Sequence, residues 1–227
     1  MLTISVVSAH NSRIVYDQST SKDDPIIIQN PEVSQAFYGS LKGDAFNPDL
    51  KGSPDYYLIN SSKNFNINLG LLIPYFDEVK EPFTDFKINV YSYNNNKLLF
   101  EVNGIFQEWE KYYEPFFGDY YWKAPEAGRM NVSKGAYIIE VSNSASKGSY
   151  VLVVGKEEKW SIKEIFNSLA VAPKLKKDFF YKSMWSAYFN RFGLYVLGFV
   201  AVIAILVLLI VFWWRKRGRK QRKRDRE

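Results

Sequence analysis

Residues 64–73 read Asn-Phe-Asn-Ile-Asn-Leu-Gly-Leu-Leu-Ile, so that Phe65, Ile67, Leu69, Leu71 and Ile73 fall on every second position. Side chains of a strand alternate between faces, and this spacing therefore describes a strand with one face in a core and the other towards water. The same period recurs at Phe86, Ile88 and Val90, at Tyr137, Ile139 and Val141, and at Tyr150, Leu152 and Val154. It predicts eight strands, over 25–29, 34–39, 55–60, 64–73, 85–93, 97–102, 136–141 and 149–155. Asn94-Asn95-Asn96 marks a turn between the fifth and sixth strands, and 142–148 marks another between the last two. The fold class that follows is mainly β: an antiparallel β-sandwich or jelly roll over residues 10–158. Two longer connections, 40–54 and 103–135, are where recognition residues are expected. Leu41-Lys42-Gly43 recurs as Leu50-Lys51-Gly52, which marks 43–52 as an insertion.

The C-terminal third has a different character. Ser161 followed by Glu164 predicts a capping box, with Trp160 stapled onto Ile165, opening a helix over 162–171 that Pro173 ends. Residues 174–192 space Tyr181, Trp185, Tyr188 and Phe192 at three or four positions among lysines, a pattern for an amphipathic helix in a membrane interface. The whole of 159–192 is thus expected to be juxtamembrane and helical. Gly193 to Trp214 follows, 22 residues without a charge. At ~1.5 Å per residue such a helix covers about 33 Å, enough for a hydrocarbon core of ~30 Å. Arg191 and Arg215 bracket it, and Trp213 and Trp214 lie where amphipathic rings favour the headgroups.

The formal charge of +6 misleads about the body of the protein. Residues 215–227 hold nine of the 30 basic and two of the 24 acidic side chains, leaving 21 and 22 for the rest. The tail stops transfer and attracts anionic lipid, and without interleaved aromatics it is not a nucleic-acid binder. Five basic residues lie on the other side of the span, in 173–192. The bias predicts a single-pass plasma-membrane protein with its N-terminal domain outside and residues 215–227 in the cytoplasm. Met1 to Ala9, apolar and ending in Val7-Ser8-Ala9, reads as the end of a signal peptide.

Catalysis finds little support. There is no cysteine and one histidine, His10, so disulfides, thiolate zinc sites and multi-histidine metal centres are excluded. His10 is a weak candidate for copper, since a usable site needs further nitrogen or sulfur donors; no cofactor is expected. The one dense chemical cluster is 108–126, where Glu108, Glu110, Glu114, Asp119 and Glu126 stand among eight aromatic residues. From it we take Trp109, Tyr113, Asp119, Tyr121 and Trp122 as a candidate recognition surface for an envelope glycan or a membrane-protein partner. The resulting expectation is a non-catalytic, membrane-anchored binding module. Its rivals are a carboxylate-dependent enzyme acting on glycans, if two of these acids converge in a cleft ~5 to 10 Å apart, and a structural accessory subunit of a membrane complex.

Ala136 to Val141 together with Gly148 to Gly155 resemble the closing hairpin of prokaryotic pre-peptidase C-terminal-like sandwiches. A longer pattern is similar to a family of uncharacterised prokaryotic single-pass membrane proteins: Asn30 to Gly39, Glu114-Pro115-Phe116, Gly118-Asp119, Pro125-Glu126, and Lys174 to Phe180 ahead of the span. That resemblance implies an exported sandwich on a membrane anchor and no particular activity. The short leader and the 43–52 insertion depart from it.

Overall fold

The computed structural model describes residues 11–18, 20–42, 52–77, 84–115, 117–124, 128–159 and 161–224, apart from the side chains of 162, 165, 192 and 217–224. The leader, His10, nearly all of the 43–52 insertion, the Trp160 staple and the side chains of most of the basic tail lie outside the described residues.

All eight expected strands form. They are β2 (Ile26–Ile28), β3 (Gln35–Lys42), β4 (Asp55–Ser61), β5 (Phe65–Pro74), β6 (Lys87–Ser92), β7 (Leu98–Asn103), β11 (Gly135–Ser142) and β12 (Lys147–Val154). Four more join them: β1 (Asn11–Ile14), β8 (Glu110–Glu114), β9 (Asp119–Lys123) and β10 (Gly128–Val132). The connection expected over 103–135 is therefore mostly strand. The first sheet runs β1-β3-β12-β5-β9-β8, with β10 also paired to β5, and the second runs β2-β4-β11-β6-β7. Between them lie the inward residues of the period-two pattern, with Ile59, Ile67, Ile88, Val90, Ile139, Val141, Tyr150 and Leu152 all fully buried.

Two topological expectations need correction. The turn at 142–148 does not close a hairpin: β11 pairs with β4 and β6, β12 with β3 and β5, so the chain arches from one sheet to the other. The sheets are also mixed, since β1 runs parallel to β3 and β2 parallel to β4. The cause is the path of β1 to β4, which alternate between sheets; when each crossing reverses the chain, strands two apart in sequence become parallel neighbours. Where two strands share a sheet through a short turn, as at Asn94 to Asn96 between β6 and β7, the pair is antiparallel. Asn96 takes a left-handed conformation there (φ 53°), which asparagine tolerates better than most residues.

Inside the core, Gly39 stands opposite Tyr150. The ring of Tyr150 fills the space above that glycine, and its hydroxyl donates to Asp55 at 2.6 Å and lies 2.8 Å from the hydroxyl of Tyr57. Thr20 donates to the other Asp55 oxygen at 3.1 Å. Burial pushes the Asp55 carboxyl up from its ordinary range, and the hydrogen bonds from Tyr150 and Thr20 oppose that shift.

After β12 the chain forms α1 (Ile162–Lys174), capped by Ser161, whose hydroxyl accepts from the Glu164 amide at 3.2 Å. The Glu164 side chain does not close the expected box. It takes two hydrogen bonds from Arg13 on β1, at 2.9 and 3.0 Å, which hold its carboxyl below the usual range and tie the helix to the sheet edge. Pro173 does not end the helix as expected: α1 runs to Lys174 and widens into a π turn over Leu175–Phe179. A proline in the last turn removes one amide donor. That loss is outweighed by burying Leu175, Phe179 and Phe180 on the outer face of the first sheet, against Ala36, Tyr38, Leu72, Tyr121 and Val151. The expected interfacial helix over 174–192 is thus divided: residues 175–180 pack on the sandwich, whereas Tyr181, Trp185 and Phe189 are 79%, 73% and 86% exposed. A short 3₁₀ turn (Met184–Tyr188) leads to α2 (Arg191–Arg224), in which Gly193 to Lys216 is one helix long and apolar enough to cross a membrane. Arg191, Trp213, Trp214 and Arg215 are exposed along it, as anchoring would require.

Candidate functional site

The β8–β9 hairpin carries four of the five expected recognition residues, and strand alternation separates them. Lys111 faces Trp122 and Tyr113 faces Tyr120 across the pair, while Tyr112 faces Tyr121 and Glu114 faces Asp119. Opposed residues share a face, so these four pairs alternate between the two sides of the sheet.

On the inner side the hairpin projects past the core. Trp122 is half-buried against the core, with its ring 5.5 Å from that of Tyr75. Beyond it, the rings of Tyr113 (46% exposed) and Tyr120 (43% exposed) lie 4.8 Å apart, tilted by 47°, and Lys111 sits over Tyr75 and Tyr120 at 3.6 and 4.7 Å from the ring centroids. Tyr75, Tyr113 and Tyr120 form an aromatic ledge beside β8, which ends its sheet and, among the described strands, pairs only with β9. Trp109 stands apart. It is half-buried against the core, and its indole Nε1 donates to the Gly104 carbonyl at 2.9 Å.

Towards the turn the outer side is closed. Tyr121 and Asp119 are each 1% exposed, so the expectation that they face a ligand is corrected: both lie beneath the segment that follows α1. Lys176, itself buried, donates to Asp119 Oδ2 at 2.6 Å and to the Phe117 carbonyl at 2.7 Å. Lys182 donates to Asp119 Oδ1 at 3.0 Å. Burial lowers the Lys176 ammonium from its usual range, and the Asp119 carboxylate opposes that shift. The Phe117 carbonyl also accepts from Asn190 Nδ2 at 2.5 Å, and Asn190 Oδ1 caps α2 by accepting the Gly193 amide at 3.0 Å. Glu114 accepts the Phe117 amide at 2.7 Å within the hairpin turn. Around these polar groups Phe117, Ala172 and Ala187 are buried together, with Leu169 of α1 and Val196 of α2 packed on them. The hairpin turn, the end of α1 and the start of α2 form one joint.

Among the described residues, Glu114 and Asp119 are the acids of the cluster that face each other across the hairpin. The void beside Glu114, Phe117 and Tyr121 measures about 10 Å³. A larger groove of about 370 Å³ lies on the outer face where β9 and β10 both meet β5, floored by Gly70 and Val153. Its charged lining residues, Lys123, Arg129 and Lys156, are all basic.

Comparison with known proteins adds a likeness in outline. No family model and no curated protein matches the chain. The fold resembles a collagenase module. This is the pre-peptidase C-terminal domain of collagenase from Bacillus anthracis, with a TM-score of 0.34 and 11% identity, over 61% of this chain and 97% of that one.

Tyr120, Tyr75 and Lys111 escaped the sequence reading. A signal existed, since Tyr113 and Tyr120 flank the turn ending in Gly118 (φ 75°) at matched distances. It was hidden because both faces of β8 and β9 carry rings and charges alike, so alternation does not separate an inside from an outside.

Proposed function

We propose that the chain is a membrane-anchored, non-catalytic binding module, held by α2 at the plasma membrane with its sandwich outside, and that it engages another membrane protein through the β8 edge. The observation that carries this reading is the aromatic ledge beside β8, which among the described strands is paired on one side only. An edge strand offers unpaired backbone groups for a partner to add to, and exposed tyrosines are typical anchors of protein interfaces. Lys111 already covers ring faces of the ledge, which favours a protein partner over a stacked sugar. A carboxylate enzyme is disfavoured because Asp119 is held by two lysines and Glu114 by its own turn.

Purification of the full chain in mild detergent should retain a membrane protein. The Tyr113→Ala, Tyr120→Ala double variant should release it with affinity at least about 30-fold weaker, equivalent to ~2 kcal/mol, at an unchanged melting temperature. Retention of the partner by that variant would remove the ledge from the interface, and turnover of an envelope glycan would favour the rival enzyme. The orientation is supported by the nine basic residues after the span against five before it. A membrane-impermeant thiol reagent added to intact cells should label an Asn94→Cys variant of this cysteine-free chain; protection of that thiol would reverse the topology.

A further inference from the structure

We infer a second membrane-contact surface: the end of the sandwich that carries the β8–β9 turn rests on the leaflet that α2 enters, together with the exposed segment 181–189. The inference builds on the reading of α2 as a span. Asn190 lies three residues before Gly193, where the apolar run begins, so at ~1.5 Å per residue it stands about 5 Å above the hydrocarbon, within the headgroup layer. The Phe117 carbonyl is bonded to that asparagine at 2.5 Å, and Phe117 packs with Ala187 and Val196. The hairpin turn is thereby fixed at headgroup level by the same cap that starts α2.

Strand direction extends the argument to the rest of that end. β5 reaches the joint region with its C-terminal end, where the Tyr75 amide donates to the Tyr120 carbonyl. The start of β12 lies at the same end, and the arch leading into it begins at Ser142, opposite Lys87, the first residue of β6, which in turn faces Asn103, the last of β7. Beyond β7, Phe106 is 82% exposed in the short turn that follows, and Trp185 is 73% exposed on the segment leading to α2. Rings of this kind partition into the interface between headgroups and acyl chains. Tyr120 lies two residues from Gly118, about 7 Å along the strand at ~3.3 Å per residue, so the lower end of the ledge is within reach of the headgroups. The turn at Asn94 is at the opposite end of β6 and stands away from the membrane.

Single-cysteine variants of the full chain, Tyr120→Cys, Phe106→Cys, Trp185→Cys, Asn94→Cys and Leu206→Cys, carrying an environment-sensitive fluorophore in phosphatidylcholine and phosphatidylglycerol vesicles, test this with brominated lipids. Leu206 should be quenched most, Trp185, Phe106 and Tyr120 to an intermediate extent, and Asn94 not at all. If Leu206 is quenched while Tyr120 and Phe106 behave as Asn94 does, the sandwich stands clear of the bilayer and the inference fails. If Leu206 itself escapes quenching, α2 is not a span, and the proposed anchor fails with it.

Discussion

Replacing Asp119 by asparagine should destabilise the folded chain by about 3 to 5 kcal/mol, the usual effect of removing one partner from a buried ion pair. The magnitude follows from what remains: Lys176 would keep its charge in a site where it is 2% exposed, with neutral acceptors, the Phe117 carbonyl and the new amide oxygen, where the carboxylate had been. Lys176→Met should cost less, because Asp119 would still hold Lys182 at 3.0 Å. The pH dependence separates this account from a packing defect. Burial already lowers the Lys176 ammonium, and losing Asp119 removes the main influence that raises it. A lysine whose folded pKa lies below its unfolded one disfavours the fold when protonated, so stability rises with pH between the two values and is constant above 10.5. The gap between Asp119→Asn and the parent should therefore narrow as pH is raised into the alkaline range, read by thermal melts in detergent. A gap independent of pH would mean that the ion pair is not what the substitution disturbs. Because Phe117 also anchors Asn190, the variant should loosen the joint before it melts the sandwich, with proteolysis near 181–189 appearing first.

Gly39→Ala should cost about 3 kcal/mol, although it adds a single methyl group. A β-carbon at Gly39 would stand 2.4 Å from Tyr150 Cζ and 2.5 Å from its hydroxyl. Tyr150 is fully buried and hydrogen-bonded to Asp55 and Tyr57, so its ring cannot swing away without leaving a half-buried carboxyl short of a donor. Overpacking of a filled core costs ~1 to 3 kcal/mol, and loss of the Tyr150 hydrogen bond to the half-buried Asp55 ~0.5 to 1.5 more. Tyr150→Leu in the same background should recover part of the clash but none of the Asp55 hydrogen bond. A melting temperature unchanged by Gly39→Ala would show slack around Tyr150 that close packing does not permit.

The eight strands were legible where apolar residues recur at every second position on the core side, as in β5, with Asn66 and Asn68 outward and Phe65, Ile67 and Leu69 inward. β8 and β9 were not legible, because helical packing covers Tyr112 and Tyr121 on one side while Tyr113, Tyr120 and Trp122 fill the other. The arch at 142–148 read as a hairpin because alternation states which residues face inward, not which strand lies alongside.

What the amino-acid order by itself determined was local and solvent-referenced: the period of each strand, the Asn turn at 94–96, the Ser161 cap and the 22-residue apolar run. Each depends on residues a few places apart and on their transfer from water. The tertiary structure alone decided the pairing of β11 and β12 with different sheets, the continuation of α1 through Pro173, and the burial of Lys176. That lysine reads as a headgroup-facing cation in a basic, aromatic segment. It is buried because Asp119, 57 positions earlier, and the Phe117 carbonyl compensate its desolvation, and such compensation exists only once the hairpin and the chain after α1 have met.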